Sequence, residues 1–292
     1  MTERTGSGAG VVEVVRAGAL TTVQDLGRPG WAHLGVTRSG ALDPSALRLA
    51  NRLVGNPEST AGLEITMTGC QLRPTRATTV ALVGADVDVR VGDRPGDTGR
   101  PLAVPAGALL RIGPARAGLR CWLAVAGGIA VDPVLGSRAT DTLAGLGPAA
   151  LRDGDRLPLG EPIGPPAPVD VTVPVPHPTE LDLAVRLGPR HDWFRTAALD
   201  LLLGTAYTVS PLSNRIGARL TGAPLPRAVA GELPSEGLVL GAVQVPADGQ
   251  PLIFLADHPT TGGYPVIAVV DDVTLLAQAR PGTTVRFHGP QR

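Results

Sequence analysis

The stretch from residue 236 to residue 270 reads EGLVLGAVQVPADGQPLIFLADHPTTGGYPVIAVV. It contains three short apolar runs, at Val239–Val245, Leu252–Leu255 and Val266–Val270, which Pro, Gly, Asp and Thr residues separate. Short runs that are rich in branched residues and bounded by turn-forming residues predict β-strands. Their close spacing favours a sandwich or a barrel over alternating strands and helices.

The rest of the chain shows the same pattern. It holds 38 glycines and 29 prolines among 292 residues, which divide it into short segments. Further apolar runs that predict strands lie at Thr78–Val83, Val87–Val91, Ala108–Ile112, Leu119–Val125 and Thr283–Phe287. We therefore expect a mainly β fold with two tandem strand-rich domains and few short helices.

Two segments are predicted to be helical. The first begins at Asp43, an N-cap residue followed by proline, and ends at Gly55. The second runs from about His191 to Leu203, with Asp192 as its cap and a glycine after its last residue. Both have apolar residues at helical spacing, so each is expected to bury one face.

A proline-rich stretch separates two strand-rich regions. Eight prolines lie between Pro158 and Pro178, a composition typical of an extended linker. We expect an N-terminal barrel-like domain at 11–160, a linker at 161–180 and a C-terminal domain at 181–290.

The charge balance excludes several classes of function. The 26 basic and 26 acidic residues cancel, which argues against a general binder of nucleic acid or acidic membranes. Every basic residue is Arg, and without Lys there is no Schiff base, lysine base or P-loop. The polar N-terminus and the lack of a long apolar run predict no signal peptide and no membrane span, so we expect a cytoplasmic protein.

The cysteines and histidines show no metal-binding pattern. Cys70 and Cys121 lie far apart and are expected to be buried small hydrophobic residues, with a structural disulfide as the alternative. The five histidines lack the spacing of metal ligands, so no metal site is predicted. The nucleophile elbow and the other short catalytic motifs are also absent.

The first of three polar clusters reads VQDLGRPG and, a few residues later, GVTRSGALD. Its glycines let backbone amides approach a ligand, and Arg28 and Arg38 carry guanidinium groups that can bind a carboxylate or phosphate through two hydrogen bonds. Ser39 and Asp43 complete the candidate binding residues. The alternative is a turn-rich hairpin in which Asp and Arg pair and Asp43 only caps a helix.

The second polar cluster reads VSPLSNRIG and is followed by Glu236. Ser213, Asn214 and Arg215 are candidate substrate-binding residues, and Glu236 is a candidate catalytic carboxylate. We expect Arg28 and Arg215 to face one groove from different halves of the chain and bind a carboxylate or phosphoryl group. The alternative is a polar loop whose side chains bond to the local backbone.

The third polar cluster combines Gln244 with DHPTTGGYP at 257–265. Asp257 follows an apolar strand and is predicted to orient a substrate group or a water. Tyr264 or a turn amide would stabilise a developing oxyanion. The candidate binding residues of this cluster are Gln244, Thr260, Thr261, Gly262 and Gly263. The alternative is that Asp257 caps the turn and Tyr264 only packs.

Several motifs occur in an order that resembles one family. They are TTVQDLGRPG, GVTRSGALDPSALRLANRLVGN, GLEITMTG, LGSRATDTLAG, SNRIGARLTG and SEGLVLGAVQVPADGQPLIFLADHPTTGGYP. The chain resembles the KipA family over most of its length. That family includes the C component of bacterial 5-oxoprolinase, formerly called allophanate hydrolase subunit 2, and it is similar to part of the carboxyltransferase region of urea carboxylase.

The resemblance implies a cyclophilin-like β-barrel architecture and ATP-driven opening of 5-oxo-L-proline to L-glutamate. It implies activity only in a complex with a KipI-like B component and a LamB/YcsF-like A component. ATP, with Mg, would bind at a site on or shared with a partner, and the lack of Lys leaves no biotin attachment site. One departure is His258-Pro259, where the family is expected to carry Gln before the two threonines.

The resemblance leaves two other functions open. One is a regulatory protein that binds and antagonises a KipI-like kinase inhibitor without catalysis. The other is the carboxyltransferase component of a urea carboxylase-like system, in which biotin would be carried by another chain.

Overall fold

A computed structural model describes residues 10–166, 174–231 and 233–289. The chain divides into two compact units, each built from several segments. The N-terminal unit comprises Met1–Leu26, Pro44–Thr140 and Gly147–Val175, and the C-terminal unit comprises Gly27–Asp43, Asp141–Leu146 and Pro176–Arg292. Two segments from the first half of the sequence thus belong to the C-terminal unit. The expected division into contiguous domains at 11–160 and 181–290 does not include this exchange of segments. The expected linker at 161–180 includes residues 167–173, which lie outside the described residues.

The N-terminal unit is built on one antiparallel sheet. Its strands are β1 (Val11–Arg16), β2 (Leu20–Gln24), β3 (Gly62–Thr66), β4 (Cys70–Pro74), β5 (Thr78–Val91), β6 (Arg94–Gly96), β7 (Leu102–Val104), β8 (Leu110–Val125) and β9 (Arg156–Pro158). The strand order is β2-β3-β8-β4-β1-β9, with β5 also paired to β8 and with β6 and β7 paired to β5. Helix α1 (Pro44–Leu53) packs against β5 and β8, at the position that the sequence predicts.

The long strands β5 and β8 replace four short strands predicted from the sequence. Gly84 interrupts the apolar pattern, but it has φ +127° and sits where the β5–β8 register shifts. A Cβ at Gly84 would lie 2.4 Å from the carbonyl oxygen of Arg120. The glycine therefore accommodates a bulge within one continuous strand instead of ending it.

The C-terminal unit contains a closed barrel of seven strands. Their bounds are β10 (Glu180–Leu187), β11 (Ala206–Val209), β12 (Gly217–Thr221), β14 (Ala242–Gln244), β15 (Leu252–Phe254), β17 (Val266–Val270) and β18 (Thr284–His288). Their order around the barrel is β10-β17-β14-β15-β12-β11-β18. Two further short strands, β13 (Glu236–Gly237) and β16 (Thr261–Gly262), form a separate antiparallel pair. The expected mainly β fold with a barrel is confirmed.

Alternating burial separates the inward-facing from the outward-facing side chains of the barrel strands. Leu181, Leu183 and Val185 of β10 are buried, as are Val285 and Phe287 of β18, while the residues between them face outward. These two strands pair in parallel and join the ends of the barrel.

The second predicted helix is shorter than expected. Residues 191–193 form a 3-10 turn, and helix α2 (Thr196–Gly204) follows it and packs against β18. Its N-cap position is held by Arg195 without a side-chain capping bond, so the prediction that Asp192 caps this helix is wrong. The apolar spacing predicts a face that includes Ala197, Ala198 and Leu202, of which Ala198 and Leu202 are buried and Ala197 is exposed.

Candidate functional site

A buried carboxylate lies at the centre of the polar residues of the C-terminal unit. Asp257 comes shortly after β15 and is fully buried. Its Oδ1 accepts hydrogen bonds from Ser39 Oγ at 2.7 Å and Arg215 Nη2 at 2.9 Å. Its Oδ2 accepts from Arg215 Nε at 2.9 Å and from Thr142 Oγ1 and N at 2.7 and 2.9 Å. One carboxylate thus holds three distant parts of the sequence together.

The charge of Asp257 is matched inside the protein. Burial by itself raises the pKa of its carboxyl, but the Arg215 charge and the donated hydrogen bonds outweigh burial and hold the pKa below its ordinary value. Arg215 is also buried, and its Nη2 donates to the carbonyl of Gly40 at 2.7 Å. The pair is therefore ionised and fully engaged at neutral pH.

A second buried aspartate lies one residue before Thr142. Asp141 Oδ2 accepts a hydrogen bond from Thr37 Oγ1 at 2.7 Å, and the guanidinium Nη1 of Arg28 lies 3.9 Å from it. Asp141 Oδ1 accepts from the amides of Leu143 and Ala144, both at 2.9 Å. This carboxylate shapes its own turn and holds the segment that precedes Ser39.

The two arginines that were predicted to face one groove lie next to acidic side chains. Arg28 and Arg215 lie in the same unit, and each faces a carboxylate of this chain, Asp141 or Asp257. The side chains of Arg28 and Arg215 are 0% and 1% exposed. Their role as ligand-binding residues stays a prediction. Asp43, also predicted to bind substrate, is buried immediately before α1.

The turn beyond Asp257 pairs with a neighbouring segment. Gly262 lies opposite Glu236 in the β13–β16 pair, and the amide of Leu238 donates to the carbonyl of Thr260 at 2.9 Å. The amide of Leu233 donates to the carbonyl of Gly263, also at 2.9 Å. Thr261 on β16 is exposed. Backbone pairing thus fixes the turn and leaves the threonine side of it accessible.

Gln244 and Tyr264 support this turn from the barrel side. Gln244 is buried, and its Nε2 donates to the carbonyl of Tyr264 at 3.0 Å. A Cβ at Gly262 would lie 2.8 Å from that Nε2, so the glycine allows the close approach. The Arg227 guanidinium stacks 5.7 Å from the Tyr264 ring centroid. Among the contacts of the described residues, none joins the Tyr264 phenol to Asp257.

Glu236 pairs with an arginine that sequence reasoning did not identify. Both carboxylate oxygens accept from Arg190 Nε at 2.9 Å, and Arg190 Nη2 also donates to Oε1. The hydrogen bond from Arg190 lowers the pKa of Glu236 below its ordinary value. The Glu236 side chain is 31% exposed, so solvent and small molecules can reach it.

The polar residues of the second cluster bond locally. Ser213 Oγ accepts from the amide of Arg219 at 3.1 Å and donates to its carbonyl at 3.3 Å. Asn214 Oδ1 accepts from the amides of Ile216 and Gly217 at 2.8 and 3.3 Å. This pattern matches the alternative of a polar loop with side-chain to backbone bonds. His258, at the departure from the family motif, places Nδ1 2.7 Å from the carbonyl of Pro259.

Sequence reasoning missed Thr37, Asp141 and Thr142. The residues Thr-Asp-Thr at 140–142 lie in the motif LGSRATDTLAG, and an acidic residue between two hydroxyl-bearing residues was the available signal. In the ranges that the structure describes, no group of three or more His, Cys, Asp or Glu side chains is arranged to hold a metal ion. None of the described helices has the length and apolar character needed to cross a membrane.

Comparisons with known proteins place this chain in a family. The family model described as carboxyltransferase domain, subdomain A and B, matches residues 34–289. The C component of 5-oxoprolinase from Escherichia coli (strain K12) is 39% identical over 286 residues, which cover 95% of this chain and 90% of that protein. The resemblance seen in the sequence motifs is confirmed by this match.

Two solved structures share the fold. The crystal structure of TTHA0988 is 37% identical with a TM-score of 0.86, covering 96% of this chain and 55% of that one. The K. lactis Urea Amidolyase structure is 30% identical with a TM-score of 0.89, covering 96% of this chain and 19% of that one. This chain thus spans about half of TTHA0988 and about a fifth of the urea amidolyase. The chain belongs to the carboxyltransferase domain family, subdomains A and B.

Proposed function

We propose that this chain is the C component of an ATP-dependent 5-oxoprolinase, which hydrolyses 5-oxo-L-proline to L-glutamate. Its partners in the complex would be a KipI-like B component and a LamB/YcsF-like A component, in the cytoplasm where ATP is supplied. The observation that carries the proposal is the 39% identity to the E. coli C component of 5-oxoprolinase over nearly the full length of both proteins.

The contacts support different roles for the candidate catalytic residues. Opening an unstrained lactam requires an activated carbonyl carbon, stabilisation of a developing oxyanion and transfer of protons. Asp257 accepts five hydrogen bonds from described residues, so its lone pairs are occupied and it fits a positioning role better than proton transfer. Glu236 has a partly exposed carboxylate that Arg190 holds in place. We assign Glu236 the task of orienting a water or accepting its proton, and Tyr264 that of donating to the oxyanion.

The arginines predicted to bind a phosphoryl group do not fit a triphosphate. Arg28 and Arg215 are buried and face carboxylates of this chain, so an anion at either would compete with Asp141 or Asp257. The chain also has no Lys and hence no P-loop. We therefore place the nucleotide on a partner protein and assign no step involving ATP to this chain.

The test is reconstitution. This chain is co-expressed with a KipI-like protein and a LamB/YcsF-like protein from the same organism, and glutamate release from 5-oxoproline is measured with and without ATP. We expect ATP-dependent release by the three-component complex and none by this chain alone. A complex that omits this chain is the matched control. Equal turnover with and without this chain, or no turnover by the intact complex, would contradict the proposal.

A second candidate function is carboxyl transfer from carboxybiotin. The match to the carboxyltransferase family model and the TM-score of 0.89 to the urea amidolyase structure favour it. Because the chain has no Lys, the biotin would be carried by another protein. Loss of carboxyl groups from free carboxybiotin, accelerated by this chain, would support this candidate over 5-oxoproline hydrolysis.

A further inference from the structure

The side chain of Arg227 connects three parts of the C-terminal unit. Its guanidinium lies over the Tyr264 ring, 5.7 Å from the ring centroid, which is within the range of a cation–π interaction. Its Nη1 donates to the carbonyl of Gly231 at 3.1 Å, and its Nη2 donates to the carbonyl of Val245. Its Nε is buried, and no described residue accepts a hydrogen bond from it. The described contacts of this cation are thus two carbonyl groups and the face of one ring.

The backbone of Arg227 is fixed by a neighbouring segment. Arg227 pairs with Phe194 in an antiparallel bridge, and the amide of Ala228 donates to the carbonyl of Trp193 at 2.8 Å. That segment follows directly after Arg190, which holds the other candidate catalytic side chain in place. The guanidinium of Arg227 therefore extends from a paired backbone, which limits the positions that it can take.

The main chain at Tyr264 is held by the barrel, whereas its ring is held by Arg227. Gln244 Nε2 donates to the carbonyl of Tyr264 at 3.0 Å, and the amide of Val245 donates to the carbonyl of Pro265 at 3.1 Å. These bonds fix the backbone but do not set the side-chain torsions of Tyr264. Among the ring-stacking contacts of the described residues, the one with Arg227 is the one that involves Tyr264. The orientation of the ring thus depends on Arg227.

We propose that Arg227 is a positioning residue for Tyr264, whose ring it holds in one orientation so that the phenol hydroxyl has a fixed direction. A cation is attracted to the ring face and therefore opposes rotation of the ring away from it. A donor that is already oriented stabilises an oxyanion without reorganisation at the moment of reaction. The catalytic consequence rests on the proposed function, in which Tyr264 donates to the oxyanion. The orientation of the ring does not depend on that function.

The kinetic test uses the assembled complex with Arg227→Met, with Arg227→Lys and, as control, with Arg286→Met, an exposed arginine on β18. Because a small misplacement of a reacting group can cost about a hundredfold in rate, Arg227→Met should lower kcat about tenfold to a hundredfold. The KM for 5-oxoproline should stay nearly unchanged, as expected for an interaction made only in the transition state. Arg227→Lys keeps the charge but not the planar fork and should be intermediate, and Arg286→Met should be unchanged.

A double-mutant cycle shows whether Arg227 acts through Tyr264. If it does, Arg227→Met should add little to the loss of kcat that Tyr264→Phe already causes. Losses that multiply overturn the proposal, as does the parent kcat in either single variant. A raised KM with an unchanged kcat also overturns it, because Arg227 would then bind substrate instead of positioning Tyr264.

A spectroscopic measurement tests the ring orientation without turnover. The chain has two tyrosines, so labelled tyrosine rings give two sets of NMR signals, and Tyr264→Phe identifies the set that belongs to Tyr264. In the parent chain we expect a nuclear Overhauser contact between the Tyr264 ring and the Arg227 side chain. In Arg227→Met the Tyr264 signals should shift and those of Tyr207 should not. Lack of the contact in the parent overturns the proposal even where a variant fails to fold. A complex that shows the contact but does not release glutamate contradicts only the proposed function.

Discussion

Replacing Asp257 by asparagine removes the negative charge that the buried Arg215 faces. The asparagine side chain has one carbonyl oxygen, which accepts hydrogen bonds, and one amide nitrogen, which donates them. The nitrogen therefore donates at a position where a carboxylate oxygen accepted hydrogen bonds. If the amide takes the place of Oδ2, it meets three donors, which are Arg215 Nε and the hydroxyl and amide of Thr142. If it takes the place of Oδ1, it meets Ser39 Oγ and Arg215 Nη2. Neither orientation satisfies the cluster.

The size of the effect follows from burial. Removing one partner of a buried ion pair leaves an uncompensated charge and costs about 3–5 kcal/mol. Arg215 and Asp257 are 1% and 0% exposed, so solvent does not screen the remaining guanidinium. We expect Asp257→Asn to lower the free energy of unfolding of the C-terminal unit by about this amount, a melting shift on the order of 10 °C. The role in orienting a substrate group or a water that the sequence predicts for Asp257 would instead lower turnover and leave stability unchanged.

The assay is urea unfolding of the isolated chain, with hydrogen exchange of the amide of Thr142 as a local readout. Asp182→Asn, an exposed aspartate on β10, is the matched control and should be neutral. The double variant Asp257→Leu with Arg215→Met should be less destabilised than the sum of the single changes, because no unpaired charge remains. An Asp257→Asn chain within about 1 kcal/mol of the parent would refute the reasoning.

The pH dependence has a defined sign. The pKa of Asp257 is lowered in the folded protein, so its contribution to stability is present above the unfolded pKa of about 3.9 and is lost as the pH falls through the folded pKa. Between about pH 5 and pH 2 the parent should lose stability more steeply than Asp257→Asn. Equal slopes for the two proteins would contradict the ionised state of this carboxylate.

Three further changes test other parts of the structure. Gly27→Ala should destabilise the protein more than Gly30→Ala, since both have positive φ but only at Gly27 would a Cβ meet a backbone carbonyl, at 2.4 Å; equal unfolding midpoints would contradict this. Burial raises the pKa of Cys70 far above its usual range and that of Cys121 to about 12. A disulfide reagent at about pH 8 should therefore label both thiols only after unfolding, and rapid labelling of the native chain would be inconsistent with their burial. Glu236→Gln should lower turnover of the complex with little change in melting temperature, because the carboxylate and its arginine are partly exposed; full turnover by the variant would exclude the catalytic assignment. Because the pKa of Glu236 is lowered, the parent complex should stay active at pH values below the ordinary pKa range of glutamate.

The strands were more predictable than their connections. The apolar run Val266–Val270 is a strand with those bounds, because its branched residues and flanking turn residues act locally. The sequence predicts separate strands at Thr78–Val83 and Val87–Val91, whereas the structure has one strand with a bulge at Gly84, because a bulge depends on the partner strand and leaves no local signal. The membership of Gly27–Asp43 in the C-terminal unit was also missed, because it depends on contacts between residues far apart in the sequence.

The sequence singles out several members of the buried polar cluster by residue type, but it does not indicate which of them pair. Arg28 and Arg215 were identified as important because arginines beside glycines often bind anions. Their partners are Asp141 and Asp257, which are distant in sequence and show no periodic relation to them. Sequence reasoning expected an external anion, whereas the chain supplies two carboxylates of its own. Of the three arginines in the first two polar clusters, Arg38 is the one with an exposed side chain.

The C-terminal unit begins at Gly27 in the sequence, and its barrel closes with β18, whose last residue is His288. During translation at about 5–20 residues per second, the early segment waits on the order of ten to fifty seconds for the strand that completes the unit. Long-range closure of this kind is slow and leaves strand edges open to aggregation. The same layout means that cutting the gene within 161–180 cannot yield two self-sufficient proteins, because the downstream fragment would lack Ser39 and Thr142, two of the residues that hydrogen-bond to Asp257.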